Sequence, residues 1–487
     1  MNMIASELLA VLNPVVKLPQ FEVSDIVYDS RNCKRNCVFV CLRGAAADGH
    51  RFVEAAVASG AGVIVAEEPV QAGVPVVVVE NTRKALALLS AAFFDHPAEK
   101  IKTIGITGTK GKTTTAFMVK SILEAGGHKV GVIGTIGVLI GETLIQTENT
   151  TPESYLVQKY MGDMVEAGCE YCVMEASSIG LKDYRVYGFT FDCGVFTNFS
   201  EDHIGGVEHK DMEEYLRSKA LLFQMCKVGA INLDDPKFGE ILKNATCKIT
   251  TFGFDPSANL WGSNNRLLTS PGLLGCSFDL HGETDYTVEV SIPGKFNAYN
   301  ALAAISACNI FHIPEAAIKE GLQKVKVKGR VEPVTMPGDF TLLIDYAHNA
   351  VSMESILSTL REYHPERLVC MFGAGGNRPK VRRYEMGEVC GIMADLSVIT
   401  ADNSRFEEVE DIIADIKTGM AKTGGKYIEI PDRRQAIRYC IENAQVGDIV
   451  VLAGKGHEDY QEIKGVKYPF DEREIIAGIL EDLRKAN

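Results

Sequence analysis

Hydrophobic residues along this chain fall into two patterns that alternate almost throughout. Stretches with apolar residues three or four positions apart, such as 116–123, predict amphipathic helices. Short apolar runs between them, rich in β-branched residues, predict buried strands. Clear examples of these runs lie at 62–66, 76–79, 102–106, 193–197, 341–345, 368–372 and 448–452. Strands that alternate with helices are typical of α/β proteins with mostly parallel sheets, which is the fold class that the pattern predicts.

Two breaks in the pattern predict where domains end. A helical pattern over 83–94 stops at residues 95–100, which include Pro97, and a new strand pattern follows. A second break lies at 328–333, after which a fresh series of strands and helices begins. We therefore expect three domains, at 1–98, 99–331 and 332–487. A chain of 487 residues fits this number, since a domain typically has about 100–200 residues.

The composition narrows the class of protein without identifying a function. Hydrophobic residues make up 46% and charged residues 23%, which excludes a disordered, collagen-like or coiled-coil chain. The 50 basic residues against 64 acidic ones give a net charge of −14, which disfavours nucleic acid or an anionic membrane as the main partner. Small anionic ligands remain compatible with this charge because they need only a few local hydrogen-bond donors.

Hydropathy and cysteine usage indicate the compartment. No run approaches the roughly 18 apolar residues that a membrane span needs, and residues 1–20 lack the pattern of a secretory leader. We therefore expect a cytoplasmic protein whose 13 cysteines are reduced thiols. Cys169 and Cys172 have the spacing of a redox or zinc pair, but they lie in an apolar run, so core packing is the favoured interpretation.

The strongest chemical signal is a glycine-rich loop between a predicted strand and a predicted helix. The sequence GITGTKGKTTT at 105–115 lets backbone N–H groups face a phosphate, and the helix N-terminus adds positive potential. Lys112 is expected to reach the β- and γ-phosphates of a nucleotide, and Thr113 to offer its hydroxyl to Mg²⁺. The segment departs from the strict phosphate-loop spacing at Ile106, but its context favours ATP binding over a chance turn.

Two further side chains lie where predicted strands end. Glu175 ends an apolar run, and His203 follows the run at 193–197. Ligands of α/β proteins collect beyond the carboxyl ends of parallel strands, and Mg²⁺ prefers oxygen ligands. Either residue alone is more often a cap or a surface residue. Downstream of a phosphate loop, the two together favour a nucleotide–metal site.

Several short motifs occur in an order that resembles the bacterial Mur ligases, which build the peptide stem of peptidoglycan. They are GTKGKT at 108–113, EASS at 175–178, NFSEDH at 198–203, NAYN at 297–300, GRVE at 329–332 and DYAH at 345–348. Two more, DNSR at 402–405 and GKGHEDY at 454–460, are similar to the branch that adds the third residue to UDP-N-acetylmuramoyl-L-alanyl-D-glutamate. The resemblance covers about 28–473.

That resemblance implies a fold in three parts. The expected architecture is α/β, with a central phosphate-loop ATPase domain on a parallel sheet and a Rossmann-like domain at the C-terminus. A smaller N-terminal α/β domain is expected to bind the UDP-sugar. Ser30 is the implied contact of the UDP in that first domain.

The resemblance implies that ATP is held by the loop together with later motifs. The residues concerned are Gly108, Thr109, Lys110, Gly111, Lys112, Thr113, Thr114, Asn297, Asn300, Arg330, Asp345 and His348. Asn297 and Asn300 are spaced one helical turn apart, so both amides can face one ligand. The family's usual continuation after His348 is absent, but the departure lies downstream of both Asp345 and His348.

Four residues carry the catalytic roles that the resemblance implies, namely Lys112, Glu175, His203 and Lys219. The mechanism that the resemblance implies transfers the γ-phosphoryl group of ATP to the side-chain carboxylate of D-glutamate, after which an amine attacks the acyl phosphate. Lys219 aligns with a lysine that the family carboxylates, and a carbamate there would supply an oxygen donor for a second Mg²⁺. The implied metal ligands are Thr113, Glu175, His203 and the Lys219 carbamate. From the residues alone, Lys219 is an ordinary helix lysine.

The resemblance also assigns residues to the two other substrates. The muramoyl-dipeptide is expected at Asn149, Thr150, Thr151, Ser177, Asp183 and Arg185, although family members often carry Gln at the position of Asp183. The incoming amino acid is expected at Arg383, Asp402, Asn403, Ser404, Arg405, Gly454 and Glu458.

The identity of that amino acid depends on the segment 402–405. A guanidinium recognises a carboxylate through two hydrogen bonds, and 2,6-diaminopimelate has one carboxylate more than lysine. Members that add diaminopimelate typically read Asp-Asn-Pro-Arg. This chain keeps Arg405 but has Ser404 in place of proline, which is expected to loosen the loop. We expect meso-2,6-diaminopimelate, with L-lysine as the second candidate.

Other functions stay open at this stage. A folylpolyglutamate synthase-like ligase would share the phosphate loop and the asparagines. The first domain, which carries Asp-Ser-Arg at 29–31, and the third-domain motifs between Asp402 and Glu458 argue against it. A non-catalytic regulator would bind ATP without dipeptide-dependent hydrolysis. The presence together of Lys112, Thr113, Glu175, His203 and Lys219 disfavours it. No further motif supports a motor or transport ATPase. We therefore expect an ATP-dependent acid–amino-acid ligase that acts on small molecules in the cytoplasm as a monomer.

Overall fold

The computed structural model describes residues 3–44, 47–201, 208–270 and 273–486. The chain divides into two compact units. Unit 1 comprises Met1–Trp261 with Leu302–Gly321, and unit 2 comprises Gly262–Ala301 with Leu322–Asn487. The expected domain boundaries near 98 and 331 stay a prediction.

The first part of unit 1 is a small α/β layer. Its elements are α1 Ala5–Leu9, β1 Ile26–Val27, β2 Cys37–Val40, α2 Val53–Ala58, β3 Ala61–Ala66, β4 Val76–Val78 and α3 Thr82–Phe93. The strands pair in the order β1-β2-β3-β4, always in parallel. Val63 and Val65 of β3 pack in one apolar cluster with α3, whereas Ile64 packs in another with α2. Because strand residues alternate between faces, β3 is apolar throughout and is covered on both sides.

The rest of unit 1 is built on a larger sheet. Its strands are β5 Lys102–Thr107, β6 Val130–Gly134, β7 Gly137–Ile140, β8 Thr143–Ile145, β9 Tyr171–Glu175, β10 Phe191–Phe196, β11 Cys226–Asn232, β12 Lys248–Gly253 and the start of β13 Leu260–Ser270. Only Leu260 and Trp261 of β13 belong to unit 1. The strand order is β13-β12-β11-β10-β5-β9-β6-β7-β8, with antiparallel pairing from β6 to β8. The pairings of β5 with β10 and β9 are parallel, so the carboxyl ends of these three strands lie side by side.

Helices connect the strands of this larger sheet. They are α4 Lys112–Ala125, α5 Ser154–Glu166, α6 Ser178–Lys182, α7 Met212–Ala220 and α8 Phe238–Leu242. Two further helices, α9 Phe296–Asn309 and α10 Glu315–Lys324, include the chain positions at which the two units are divided. β14 Leu273–His281 and β15 Tyr286–Val290 pair in antiparallel fashion in unit 2.

The remainder of unit 2 holds a six-stranded sheet and a hairpin. The elements are β16 Glu332–Val334, β17 Thr341–Asp345, α11 Ala350–Arg361, β18 Leu368–Phe372, α12 Val381–Met393, β19 Leu396–Ile399, α13 Val409–Met420, β20 Tyr427–Glu429, α14 Arg433–Glu442, β21 Ile449–Ala453, β22 Tyr460–Ile463, β23 Val466–Pro469 and α15 Glu472–Ala486. The order is β16-β17-β21-β18-β19-β20, and only the β16 edge is antiparallel. β22 and β23 form the separate hairpin.

Both faces of this sheet are covered, which explains its unbroken apolar strands. Leu343 and Val451 pack on one face with residues of α11, α12 and α13. Leu342 and Val450 pack on the other face with residues of α14 and α15. A parallel sheet between two helical layers has this arrangement, as expected for a Rossmann-like domain.

The α/β fold class and the seven predicted strands are confirmed, as is the helix that stops before Pro97. Cys169 and Cys172 are buried beside and within β9, which confirms core packing, and all the cysteines are free thiols. In the part of the chain that the structure describes, no helix is long and apolar enough to cross a membrane.

Candidate active site

The glycine-rich loop follows β5, as the sequence predicted, and leads directly into α4. Gly108 has a φ of +150° and Gly111 a φ of +84°, both in the region that favours glycine. A Cβ atom at Gly108 would lie 2.0 Å from Oγ1 of Thr197, so no other residue fits without rearrangement. No side chain caps α4 at Gly111, which leaves the helix N-terminus available for an anion.

Two lysines bend towards the carbonyl oxygens of this loop. Lys112 Nζ donates to the carbonyls of Gly108 and Thr109, at 2.9 Å and 3.1 Å. Lys219 Nζ, on α7, donates to the same Gly108 carbonyl at 2.8 Å. Lys219 is only 1% exposed, and its Nζ lies 4.2 Å from the ring centroid of Tyr215. The structure therefore places Lys219 at the phosphate loop and not on an exposed helix surface.

Glu175 ends β9 with its carboxylate held on both oxygens. Thr113 donates from Oγ1 at 2.9 Å to one oxygen, and the backbone N–H of Thr135 donates at 2.9 Å to the other. The side chain is 1% exposed, and a Cβ at Gly134 would lie 2.2 Å from Oε1. A buried carboxylate beside a threonine hydroxyl offers the hard oxygen ligands that Mg²⁺ prefers.

The predicted metal set is described only in part, because His203 lies outside the described residues. Among the residues with a described placement, no group of three or more His, Cys, Asp or Glu side chains could hold a metal ion. Mg²⁺ bound through one or two carboxylates and substrate phosphates needs no such group. Thr113 and Glu175 therefore fit an ion that completes its shell from a nucleotide.

The segment that directly follows β10 forms hydrogen bonds with the phosphate loop. Asn198 Oδ1 accepts from the backbone N–H of Lys110 at 2.9 Å, and Asn198 Nδ2 donates to the Lys110 carbonyl at 3.0 Å. Thr197 Oγ1 donates to that carbonyl at 2.8 Å. Thr197 and Asn198 were not predicted as site residues, although Asn198 opens one of the motifs. Their position just after a strand was the signal.

The residues predicted to grip the dipeptide cluster beside Glu175. Thr151 Oγ1 donates to the Glu175 carbonyl at 2.7 Å and lies 3.0 Å from Ser177 Oγ. Arg185 Nη1 donates to the Thr151 carbonyl at 3.0 Å. The hydroxyls of Thr150 and Thr135 are 3.1 Å apart. Asn149 adjoins this cluster in sequence, and its carbonyl accepts from Thr147 Oγ1 at 3.2 Å.

Ion pairs surround Arg185 at this site. Its Nε lies 3.1 Å from Glu153, and its Nη2 lies 3.7 Å from Asp183. Arg83, on α3, lies 3.3 Å from Glu153 and 4.0 Å from Asp183. Arg83 and Glu153 were missed because no motif contains them. Ser30 lies elsewhere in unit 1, in a single 3-10 turn that the Asp29 side chain caps.

The asparagine pair predicted to bind nucleotide begins α9 in unit 2. Asn300 Nδ2 donates to Asn297 Oδ1 at 2.8 Å, and Asn297 Nδ2 donates to the Pro293 carbonyl at 2.7 Å. Both side chains are buried. The two side chains therefore lie on one face of α9, as their spacing predicted, and the hydrogen bond between them fixes the orientation of both amides.

The next predicted nucleotide residues lie at the end of β17. Asp345 accepts from the backbone N–H groups of Val331 and Ala347, both at 2.8 Å. Burial raises the pKa of Asp345, against the opposing effect of the nearby Arg330. The guanidinium of Arg330 stacks on the Tyr346 ring, 5.3 Å from its centroid. His348 is exposed, and its Nδ1 lies 2.7 Å from the Tyr346 carbonyl oxygen.

A polar cavity in unit 2 brings together most of the predicted amino-acid residues. It is lined by Tyr346, His348, Ala374, Gly375, Arg378, Arg382, Arg383, Met386, Asp402, Asn403, Arg405, Gly454 and Glu458. Six of the seven predicted residues are present, and only Ser404 is absent from the lining. They follow the carboxyl ends of β19 and β21 or lie on α12, as expected for a ligand site of a doubly wound sheet.

Arg383 is already engaged by the protein's own carboxylates. It is 1% exposed, and it donates to both oxygens of Glu407 at 2.8 Å and to Asp415 at 2.8 Å. Hydrogen bonds from Arg383 lower the pKa of Glu407 to about 2. Glu407 and Asp415 were missed because neither lies in a motif. Their charges offset that of Arg383 in the protein itself.

A buried lysine organises the residues of the two cavity loops. Lys455 Nζ donates to Asn403 Oδ1 at 2.6 Å and to Glu458 at 3.1 Å, and lies 3.4 Å from Asp402. Asn403 Nδ2 in turn donates to Glu458 at 2.9 Å. Burial acts to raise the pKa of Asp402, but Lys455 and Arg433 outweigh it, so this pKa is lowered. Asp402 is therefore an ionised carboxylate at neutral pH.

The hairpin of β22 and β23 holds the segment 402–405. Gln461 Nε2 donates to the Asp402 carbonyl at 3.0 Å, and the backbone N–H of Glu462 donates to Asn403 Oδ1 at 2.9 Å. The backbone N–H of Arg405 donates to the Glu462 carbonyl at 3.0 Å, with φ at +53°. Ser404 is buried. These contacts restrain the loop although it has no proline. The loop is therefore held more firmly than we expected from Ser404 alone.

Comparison with known proteins decides the family. A model described as "Mur ligase family, catalytic domain" matches residues 22–94, "Mur ligase middle domain" matches 106–308, and "Mur ligase, glutamate ligase domain" matches 329–456. A UDP-N-acetylmuramoyl-L-alanyl-D-glutamate–2,6-diaminopimelate ligase of Caldanaerobacter subterraneus subsp. tengcongensis is 42% identical over 471 residues, 96% of each chain. The chain belongs to the Mur ligase family. It is thus an ATP-dependent amide ligase with the three domains of that family.

Other Mur ligases support the same placement. A protein of the same description from Clostridium acetobutylicum is 42% identical over 95% of each chain. A solved structure of a 2,6-diaminopimelate ligase has a TM-score of 0.74 at 29% identity and covers 99% of this chain and 100% of its own. A folylpolyglutamate synthase from Mycobacterium tuberculosis has a TM-score of 0.57 at 18% identity, covering 77% of this chain and 92% of its own, so it shares the fold alone.

Two exposed arginines of this Mur ligase were not predicted from the sequence. Arg378 and Arg382 line the cavity, beside the engaged Arg383. Neither forms an ion pair with another described residue, whereas Arg405 lies 3.2 Å from Glu462. In the sequence, only the clustering of the arginines at 378, 382 and 383 around the start of α12 could have indicated their position in the cavity.

Proposed function

We propose that this Mur ligase joins meso-2,6-diaminopimelate to the D-glutamate of UDP-N-acetylmuramoyl-L-alanyl-D-glutamate and converts ATP to ADP, as a step of peptidoglycan synthesis. The observation that carries the proposal is the 42% identity, along 96% of both chains, to a relative described as this ligase. The geometry supports it with a phosphate loop in unit 1 and a cavity of charged residues in unit 2.

The proposed reaction has two steps. The D-glutamate carboxylate attacks the γ-phosphorus of ATP, and ADP leaves with the bridging oxygen. An amine of diaminopimelate then attacks the carbonyl carbon of the acyl phosphate, loses a proton and expels inorganic phosphate. Such chemistry depends mainly on positioning and on neutralising charge. Lys112, the N-terminus of α4 and the glycine backbone would bind and orient the phosphates.

We propose Mg²⁺ at Thr113 and Glu175, with His203 and a carboxylated Lys219 as further ligands. Bound Mg²⁺ would neutralise the charge of the transferring phosphoryl group. Lys219 supports this because its Nζ lies at the phosphate loop and is almost completely buried. The amine would become a carbamate by adding CO₂ and releasing a proton.

Selection of the amino acid is proposed to occur in the unit 2 cavity. Diaminopimelate carries two carboxylates and two amines. Exposed Arg378 and Arg382 and the partly exposed Arg405 supply guanidinium groups, and Asp402 and Glu458 supply carboxylates for an ammonium group. The arginines favour a substrate with a second carboxylate over lysine.

The enzyme is proposed to act in the cytoplasm as a monomer, where ATP and the nucleotide-linked precursor are dissolved. Its roles in cell shape and cell division would follow from the supply of cell-wall precursor. The proposed partners are these small molecules, without nucleic acid.

Phosphate release measured with ATP, Mg²⁺, the UDP-muramoyl-dipeptide and one amino acid at a time tests the proposal. We expect turnover with meso-diaminopimelate and a product whose mass equals that of the joined substrates. Turnover with L-lysine alone would replace the proposed amino acid. ATP binding without dipeptide-dependent release would favour the regulator, and use of a folate substrate would favour the other ligase. Lys112→Met is the inactive control.

A further inference from the structure

Two charged side chains without exposed surface form an ion pair next to the loops that line the cavity of unit 2. Arg433 is the first residue of α14 and Glu472 the first residue of α15. Both side chains are 0% exposed, and Arg433 Nη2 lies 2.8 Å from Glu472 Oε1. Arg433 Nε donates to the same oxygen at 2.9 Å. Neither residue lies in a motif of the sequence analysis.

The remaining donors of Arg433 reach the two loops that line the cavity. Nη1 donates to the carbonyl of Ala401 at 3.1 Å, and Nη2 donates to the carbonyl of Ala453 at 2.8 Å. Ala401 directly precedes Asp402, and Ala453 directly precedes Gly454. One guanidinium group therefore joins the starts of both loops, 402–405 and 454–458, and Glu472 fixes its orientation.

The two loops have little room to shift relative to each other. Gly454 has a φ of +112°, and a Cβ there would lie 2.9 Å from Asp402 Oδ2. Asp402, Asn403 and Glu458 already share Lys455. A change in the distance between Ala401 and Ala453 would therefore be transmitted to side chains that line the cavity.

Stability alone does not account for this pair. Burying two charges has a desolvation cost, and apolar residues of similar volume are often equally stable or more so. Glu472 Oε2 is buried and, within the described part of the chain, accepts no hydrogen bond, which adds to the cost. Burial also raises the pKa of Glu472, against the effect of Arg433.

We propose that Arg433 and Glu472 are positioning residues that set the spacing of the loops 402–405 and 454–458 and thereby the affinity for the incoming amino acid. The part that concerns affinity rests on the function proposed above. The part that concerns loop spacing does not, because Arg433 binds the carbonyl groups of the residues that directly precede both loops.

Arg433→Lys tests the proposal because lysine keeps the charge but cannot reach all three acceptors from one planar group. We expect the KM for diaminopimelate to rise ~10-fold, as for the loss of one or two hydrogen bonds to a charged group. The KM values for ATP and the UDP-muramoyl-dipeptide should change less than about twofold. Arg438→Lys is the control, since Arg438 lies on the same helix and forms exposed ion pairs with Glu442 and Asp482.

A double variant, Arg433→Met with Glu472→Leu, separates positioning from stability. We expect its Tm to stay near that of the wild type, while the KM for diaminopimelate remains raised. An unchanged KM for diaminopimelate in both variants, or an equal rise of all three KM values, would overturn the proposal.

Amide hydrogen exchange provides a readout that does not depend on activity. Exchange at residues 402–405 and 454–458 should be faster in Arg433→Lys than in Arg438→Lys or the wild type. Unchanged exchange in these loops would overturn the positioning role whatever the substrate. Faster exchange in a protein that uses no diamino acid would instead retain the loop-spacing role and reject the proposed function.

Discussion

The phosphate loop offers an anion chiefly backbone groups, whereas several of the charged side chains that line the unit 2 cavity already bind other side chains of the protein. The loop has two glycines with positive φ and a helix that starts at Lys112. In the cavity, Arg383 is paired with Glu407 and Asp415, and Lys455 with Asp402 and Glu458. The first site is set by the conformation of a few consecutive residues, and the second by a network across the domain.

This difference predicts how each site responds to change. A preorganised backbone tolerates little alteration of shape, because a new atom displaces the groups that face the phosphate. In a network of ion pairs, the loss of one charged group is shared among several partners. The charge of its carboxylates also depends on pH. The variants below are ordered from the largest expected effect to the smallest, and each tests one side of this contrast.

Gly108→Ala should have the largest effect. Its Cβ would lie 2.0 Å from Thr197 Oγ1, which donates to the Lys110 carbonyl. The threonine would have to move, and its hydrogen bond to the loop would be lost. We expect kcat to fall by about 10²–10³, the cost of losing one preorganised electrostatic contact. Gly162→Ala in α5 is the control, because a Cβ there meets nothing within 4 Å. Steady-state kinetics that gave both variants wild-type rates would contradict the backbone account.

Glu175→Gln should reduce activity by about 10–100-fold without unfolding the protein, because it removes one charge of the proposed metal site. The side chain keeps its shape, but its single amide oxygen can accept from only one of Thr113 Oγ1 and the Thr135 backbone N–H, so one of these two hydrogen bonds is lost. The apparent affinity for Mg²⁺, from titration of activity, should fall in parallel. Glu170→Gln, at an exposed carboxylate just before β9, is the control. An unchanged Mg²⁺ dependence would remove Glu175 from the metal site.

The same contrast explains what the sequence could predict. The loop at 105–115 was found because strand, glycines and helix are consecutive, and Glu175 because it ends an apolar run. Glu407 and Glu472 could not be found, since each acts through an arginine distant in the chain and carries no local pattern. Lys219 was placed only by resemblance, because its burial depends on packing against Tyr215 and the loop. The fold class followed from periodicity, which is also a local property.

Acid should weaken the unit 2 network through Glu407. Its pKa is lowered from the ordinary 4.5 to about 2, first by hydrogen bonds from Arg383 and then by the backbone N–H of Asn377, against the effect of burial. A carboxylate with a lowered folded-state pKa contributes stability above its unfolded pKa, and this is lost as the pH falls from about 4.5 to about 2.

Urea unfolding of Glu407→Gln against the wild type measures this contribution. The variant should be less stable by about 1–2 kcal/mol at pH 6, and the difference should shrink steadily between pH 4.5 and pH 3. Glu410→Gln, at an exposed residue of α13, should show no such trend. If the difference in unfolding free energy stayed constant down to pH 3, it would not come from the ionised Glu407 paired with Arg383.

Ser404→Pro should have the smallest effect, and it tests how the cavity loop is held. If local backbone stiffness set the position of Arg405, proline would improve binding of the amino acid. The loop is instead held by the hairpin of β22 and β23. Gln461 donates to the Asp402 carbonyl, the Glu462 N–H donates to Asn403 Oδ1, and the Arg405 N–H donates to the Glu462 carbonyl. We therefore expect the KM for diaminopimelate to change by less than about twofold, or about 0.4 kcal/mol. Gln461→Ala, which removes one of these restraints, should raise that KM more than Ser404→Pro alters it. The reverse order would show that local stiffness, and not the hairpin, positions Arg405.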